Sequence, residues 1–277
     1  MPTSPTAARA TGITDRIREH RTAVFFGLTF LLSWWGWPFY LLGLAPADAS
    51  FFPCGPLVAA IVVVGVTEGA RGYRDWGARM VHWRVGWVWW VVAIGTPLAV
   101  LALASAANVA IWGAPAPVLT ALPWSSIALF AALRLVNPLD GPFGEEPGWR
   151  GYALPELQVR RSPLAAGLVL APIVALWHVP LVTTGQLAAV GIPITFAITL
   201  VYVWLFNRTG GSVLLTIAFH IAQGTFSYGV LGFAGADAAR MDWLVGALWF
   251  AIAIAVIVFD REAWRAAPRS ARAQHRR

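Results

Sequence analysis

Residues 162–207 contain no Asp, Glu, Lys or Arg, and residues 209–236 contain none either; each run carries a single histidine, His178 in the first and His220 in the second. Backbone groups in an apolar phase must find their hydrogen bonds within the segment, which favours helices. An ionisable side chain inside such a run is costly, so each of these histidines is by default a functional candidate. The other three, His20, His82 and His275, lie in arginine-rich segments and carry no such weight. With 58% hydrophobic and 12% charged residues and 16 Trp, the chain lies outside the composition of soluble domains. It reads as an all-α, polytopic membrane helical bundle.

Apolar stretches at 22–44, 51–67, 86–112, 120–136, 162–181, 191–206, 211–231 and 243–259 predict about eight transmembrane helices. The formal charge of +7 comes from arginine alone, since the chain has no lysine. Arginines in residues 1–21, 71–84, 160–161, 208 and 261–277 fall on one side of an eight-span arrangement, which places both termini in the cytoplasm. The expected organisation is a basic tail (1–21), a transmembrane domain (22–260) and a second basic tail (261–277). The tails suit anionic lipid headgroups, and no nucleic-acid partner is implied. The run at 22–44 exceeds the apolar core of a signal peptide and reads as an uncleaved anchor. Cys54, the only cysteine, excludes an intramolecular disulfide and a thiolate metal cluster.

One segment departs from this pattern. Gly144-Glu145-Glu146-Pro147-Gly148-Trp149-Arg150-Gly151 places two carboxylates and a guanidinium beside the apolar runs. As a helix starting near Gly144, with Pro147 in its first turn, it sets Glu146 and Arg150 on one face at ion-pair spacing and turns Glu145 away. Counting helical rise from the Arg160-Arg161 turn puts Glu145 roughly 23 Å and His178 roughly 26 Å up two arms of a hairpin; counting from Arg208 puts His220 roughly 18 Å up its own helix. The three share a layer if 141–158 is inserted and not lying on the surface. A carboxylate and two imidazoles at one depth can activate water and stabilise a tetrahedral oxyanion. Glu145, His178 and His220 could also hold a divalent metal such as zinc, although the His-Glu-x-x-His pattern is absent and no cofactor is compelled.

These residues resemble the CPBP intramembrane proteases, also called the Abi or CAAX-protease family, which includes the type II CAAX prenyl endopeptidases. The likeness rests on Glu145-Glu146-x-x-x-Arg150-Gly151, on Trp177-His178-Val179-Pro180 and on Phe219-His220, within a motif core at 143–228. It implies that Glu145 and His178 activate the attacking water, that His220 helps stabilise the oxyanion, and that Glu146 and Arg150 support them. Two positions depart from the family pattern. Val174 stands where an aromatic is usual, and Gly224 where Asn or a similar residue is usual. Glycine offers no side-chain donor, so Gln223, with Ser227 as the weaker substitute, is the candidate replacement.

The expected function is an intramembrane endopeptidase, of metalloprotease or glutamate type, that cleaves a membrane-associated peptide or protein in a bacterial plasma membrane. The alternative is a non-catalytic immunity or scaffold protein that keeps the protease fold, with Gly224 as its best support. A proton-linked transporter is the third reading. It lacks the internal repeat common to transporters.

Overall fold

The computed structural model describes residues 12–265; the outer parts of both expected tails, at 1–11 and 266–277 and including His275, lie outside the described residues. Every regular element among the described residues is helical. A short helix α1 (Ile13–Glu19) leads into α2 (Arg21–Trp34) and α3 (Trp37–Leu41). The apolar run 22–44 is thus two helices. Gly36 lies so close to the Ala49 carbonyl that a Cβ would collide with it, and Pro38 cannot extend the hydrogen-bond ladder.

Next come α4 (Gly55–Thr67) and α5 (Gly69–Met80). The arginine-rich segment after Glu68 is largely this α5 helix, and Arg79 on it is buried. Then follow α6 (Trp87–Trp112), α7 (Trp124–Arg134), α8 (Gly141–Gly148), a π-helical turn (Trp149–Ala153) and α9 (Leu154–Arg160). The chain closes with α10 (Pro163–Trp177), α11 (Val179–Thr183), α12 (Gly191–Arg208), α13 (Val213–Gly224) and α14 (Gly235–Phe259).

The expectation of about eight spans holds in part. Among the described residues, four helical stretches are long and apolar enough to cross a membrane: α6, α10 with α11, α12 and α14. The other four stretches form shorter apolar helices, α2, α4, α7 and α13. Proline and glycine set most of their ends: Pro56 lies in the first turn of α4, Pro123 immediately precedes α7, and α13 stops at Gly224.

The segment from 144 to 158 is buried residue by residue, so it runs inside the bundle and not along its surface. Trp149, Tyr152 and Leu154 pack with Phe25 of α2, Ala59 and Val63 of α4, Trp177 of α10 and Phe206 of α12 in one core. Entry so deep depends on Gly144, Gly148 and Gly151, whose spacing puts them along one face. A Cβ on Gly144 would sit 2.9 Å from the Pro53 carbonyl oxygen, one on Gly148 would collide with the Pro56 backbone, and one on Gly151 would lie 2.9 Å from Trp76 Nε1. Small residues on a helix face let neighbouring backbones approach where lipid supplies no hydrophobic drive. From α5, Trp76 Nε1 donates to the Pro147 carbonyl (2.9 Å) and Arg79 Nη1 to the Gly151 carbonyl (2.5 Å). One donor thus holds the chain just before the π turn and the other holds the middle of the turn.

Gly148→Ala should therefore lower unfolding stability in detergent by about 1–3 kcal/mol through overpacking. Gly27→Ala on α2, where nothing lies within 4 Å of an added carbon, should stay within about 0.5 kcal/mol. Equal effects at the two positions would show that close approach is not what Gly148 provides.

Candidate active site

Helix α8 begins earlier than expected. Asp140 caps it, its carboxylate accepting the Gly141 N–H (2.7 Å), and Pro142 occupies the first turn, where a missing donor is harmless. Pro147 therefore lies inside the helix and not in its first turn. It cannot donate to the carbonyl four residues back, and the ladder widens to the π form just beyond it.

Glu146 is fully buried. Its Oε1 accepts from Arg150 Nη1 (3.0 Å), the pair that four-residue spacing favours, and from His220 Nδ1 (2.9 Å) on α13. A carboxylate oxygen only accepts, so Nδ1 carries the proton and Nε2 of neutral His220 presents its lone pair. Glu145 turns elsewhere. It is 6% exposed, and no hydrogen bond or ion pair holds its carboxylate among the described residues. A Cβ placed on Gly141 would be 2.9 Å from Glu145 Oε1 and 3.2 Å from His220 Nε2, so both atoms face the same small space, which this glycine keeps open.

His178 follows the last residue of α10, just before Val179-Pro180. Its Nδ1 donates to the Val174 carbonyl (2.8 Å), which again leaves Nε2 as the acceptor. Val174, where the family likeness led us to expect an aromatic, thus contributes through its backbone. Trp177 and Phe51 pack beside the imidazole, and Trp34 Nε1 donates to the Trp177 carbonyl (2.9 Å), fixing the chain at this break. His178 lies within electrostatic reach of His220 and Arg150.

Gln223 is tied to α12, where its Oε1 accepts from Tyr202 (2.9 Å). It also lines a cavity of about 190 Å³ with Tyr228, Asp242 and Trp249. Ser227 is used locally, accepting the Val230 N–H (3.2 Å).

Two contributors escaped the sequence reading. Tyr202 bonds Gln223, lies under the Arg150 guanidinium (4.0 Å to the ring centroid) and packs edge-on to His220 (5.9 Å). Arg134, at the end of α7, is buried and points its guanidinium at Gly224, where a Cβ would collide with it. Arg134 had a signal: it is an ionisable group at the end of an apolar stretch, the same criterion that singled out the histidines. Tyr202 had none, since an aromatic in an apolar run is ordinary core.

Among the described residues, no group of three or more His, Cys, Asp or Glu side chains is placed to hold a metal ion. The bond from His220 Nδ1 to Glu146 leaves Nε2 free. An apolar cavity of about 520 Å³, lined by Leu101, Ala102, Val109, Trp124, Phe226 and Leu231 among others, lies away from these groups. Phe226, two residues beyond Gly224, lines this cavity and also the one at Gln223.

No curated protein matches this chain. Residues 123–226 match the family model described as type II CAAX prenyl endopeptidase Rce1-like. The match opens at the head of α7 and closes just past α13, so it takes in Arg134, both glutamates, Arg150, both histidines and Gly224. With four apolar helices of spanning length among the described residues, the chain is a multi-pass membrane protein whose residues 123–226 are similar to the type II CAAX prenyl endopeptidase Rce1-like family.

Proposed function

We propose that the protein is an intramembrane endopeptidase that hydrolyses a peptide bond of a membrane-associated peptide or protein by water activated at Glu145 and His178. The observation that carries this is the contrast between adjacent glutamates. Glu146 is engaged by Arg150 and His220, whereas Glu145 has no hydrogen-bond or ion-pair partner among the described residues and shares the space before Gly141 with His220 Nε2. An unengaged carboxylate within reach of a water and a scissile carbonyl is what a general base requires.

The steps follow from the hydrogen-bond pattern. Glu145 takes a proton as the water oxygen bonds to the carbonyl carbon, with the His178 Nε2 lone pair sharing the base function. The carbonyl π electrons move to oxygen, where His220 donates from Nε2 after taking up one further proton from solvent before the attack; it keeps that proton throughout, and Glu146 at Nδ1 balances the imidazolium charge. Collapse re-forms the carbonyl, the C–N bond breaks, and the proton held at Glu145 goes to the leaving amine. Arg150 and Tyr202 position Glu146 and His220, and Gln223 acts through Tyr202. The steps are those of a glutamate-type endopeptidase, and chelator sensitivity separates this reading from a metalloprotease.

The apolar cavity at Phe226 suits an apolar segment or lipid-modified portion of the substrate. The arginine distribution supports cytoplasmic termini in a bacterial plasma membrane. Cleavage from the cytoplasmic side is consistent with it.

With purified protein and a panel of quenched-fluorescent peptides, lipidated ones included, Glu145→Gln and His178→Ala should each lower the rate by about 10²–10⁴-fold. Folded wild-type protein inert across the panel would favour the non-catalytic immunity or scaffold reading instead. In the same assay a strong chelator should leave the wild-type rate unchanged; loss of activity restored by added zinc would return Glu145, His178 and His220 to the role of metal ligands.

A further inference from the structure

Arg134 is the ionised group near the centre that the mechanism above does not use. It is 7% exposed. Asp140, the cap of α8, accepts from its Nε (3.2 Å), and the Phe130 ring lies 5.3 Å from its Cζ, so the guanidinium plane is fixed from two sides. Its Nη1 is buried and has no hydrogen-bond partner among the described residues. A buried N–H left unmade is expensive, which marks it as a donor awaiting an acceptor.

The direction of that donor is set by Gly224. A Cβ on Gly224 would collide with Nη1 and would lie 2.9 Å from Nη2 and 3.0 Å from Cζ. Residue 224 is one helical turn beyond His220 and shares its face of α13. Arg134 also interacts electrostatically with both His220 and Glu145. Glycine at 224 is therefore the vacancy through which an arginine from α7 reaches the side of α13 that carries His220.

We propose that Arg134 is a second hydrogen-bond donor to the oxyanion, filling from α7 the place beside His220 that a side chain at residue 224 would otherwise occupy. The inference rests on the water-attack reading above. As water oxygen bonds to the carbonyl carbon, the electron pair that moves onto the carbonyl oxygen is met by Nη1–H in a charge-assisted bond, strongest when the oxygen bears full charge. No proton leaves Arg134. The pair returns when the C–N bond breaks. Asp140 serves as the positioning residue that sets the guanidinium's rotation.

The test measures kcat and KM on a peptide the wild type cleaves, made with a free and with an amidated C-terminus. Arg134→Ala should lower kcat by about 10²–10³-fold with KM little changed on both peptides. Millimolar guanidinium should restore part of the loss. So should adding Gly224→Asn to Arg134→Ala, because the space then admits a side-chain amide on α13, whereas Gly224→Asn alone should be impaired by the clash. An unchanged kcat in Arg134→Ala would overturn the proposal, as would a KM rise confined to the free carboxylate, which would make Arg134 a substrate anchor. Loss that neither guanidinium nor the double variant recovers would reduce it to a brace between α7 and α8. Full activity in Glu145→Gln, or none in the wild type, would strike the water-attack reading itself and this inference with it.

Discussion

A carboxylate with no exposure at the centre of an apolar bundle is tolerable only when its charge is matched, and Arg150 and His220 supply that match at Glu146, both through Oε1, while Oε2 is buried with no hydrogen-bond partner among the described residues. One oxygen thereby joins α8, the π turn and α13. Arg150 in turn lies over Tyr202 of α12, which holds Gln223 of α13, so the polar centre extends across α8, the π turn, α12 and α13. Removing one partner from such a buried pair usually costs about 3–5 kcal/mol, since the remaining charge has nowhere to go. The same contact fixes the tautomer of His220, and with it which nitrogen faces Glu145. Fold and chemistry depend on one atom, Glu146 Oε1.

Much of the site was legible because polar residues in apolar sequence are few. The helical spacing of Glu146 and Arg150 anticipated their ion pair, and the two charge-free runs isolated His178 and His220. Spacing could not foresee the bond from His220 to Glu146, which joins residues 74 apart in sequence. Nor could the glycines at 144, 148 and 151 be told from helix breakers, because their use depends on which backbones lie opposite: Pro53, Pro56 and the Trp76 side chain. Gly224 read as a missing donor for the same reason. What fills its space comes from α7, outside the motif core at 143–228.

Helix counts were less legible than helix class. Hydropathy registers an apolar stretch but not a change of direction inside it. The stretch at 22–44 turns at Gly36, and 211–231 loses its helix after Gly224, though hydropathy continues through both. Local chemistry, a proline without a donor or a glycine pressed against a carbonyl, sets the length that composition overestimates.

The four short apolar helices have a consequence for the surrounding lipid. At 11 residues α7 is about 16 Å long, against about 39 Å for the 26 residues of α6. The outer side of α7 is apolar and exposed at Trp124, Leu129, Phe130 and Leu133. Acyl chains beside it must shorten or splay to match so brief a hydrophobic length, thinning the leaflets next to the helix that carries Arg134. Such a dimple shortens the path for water from the headgroup layer. On the water-attack reading proposed above, water is the second substrate, and a deformation of this kind would admit it without opening the bundle.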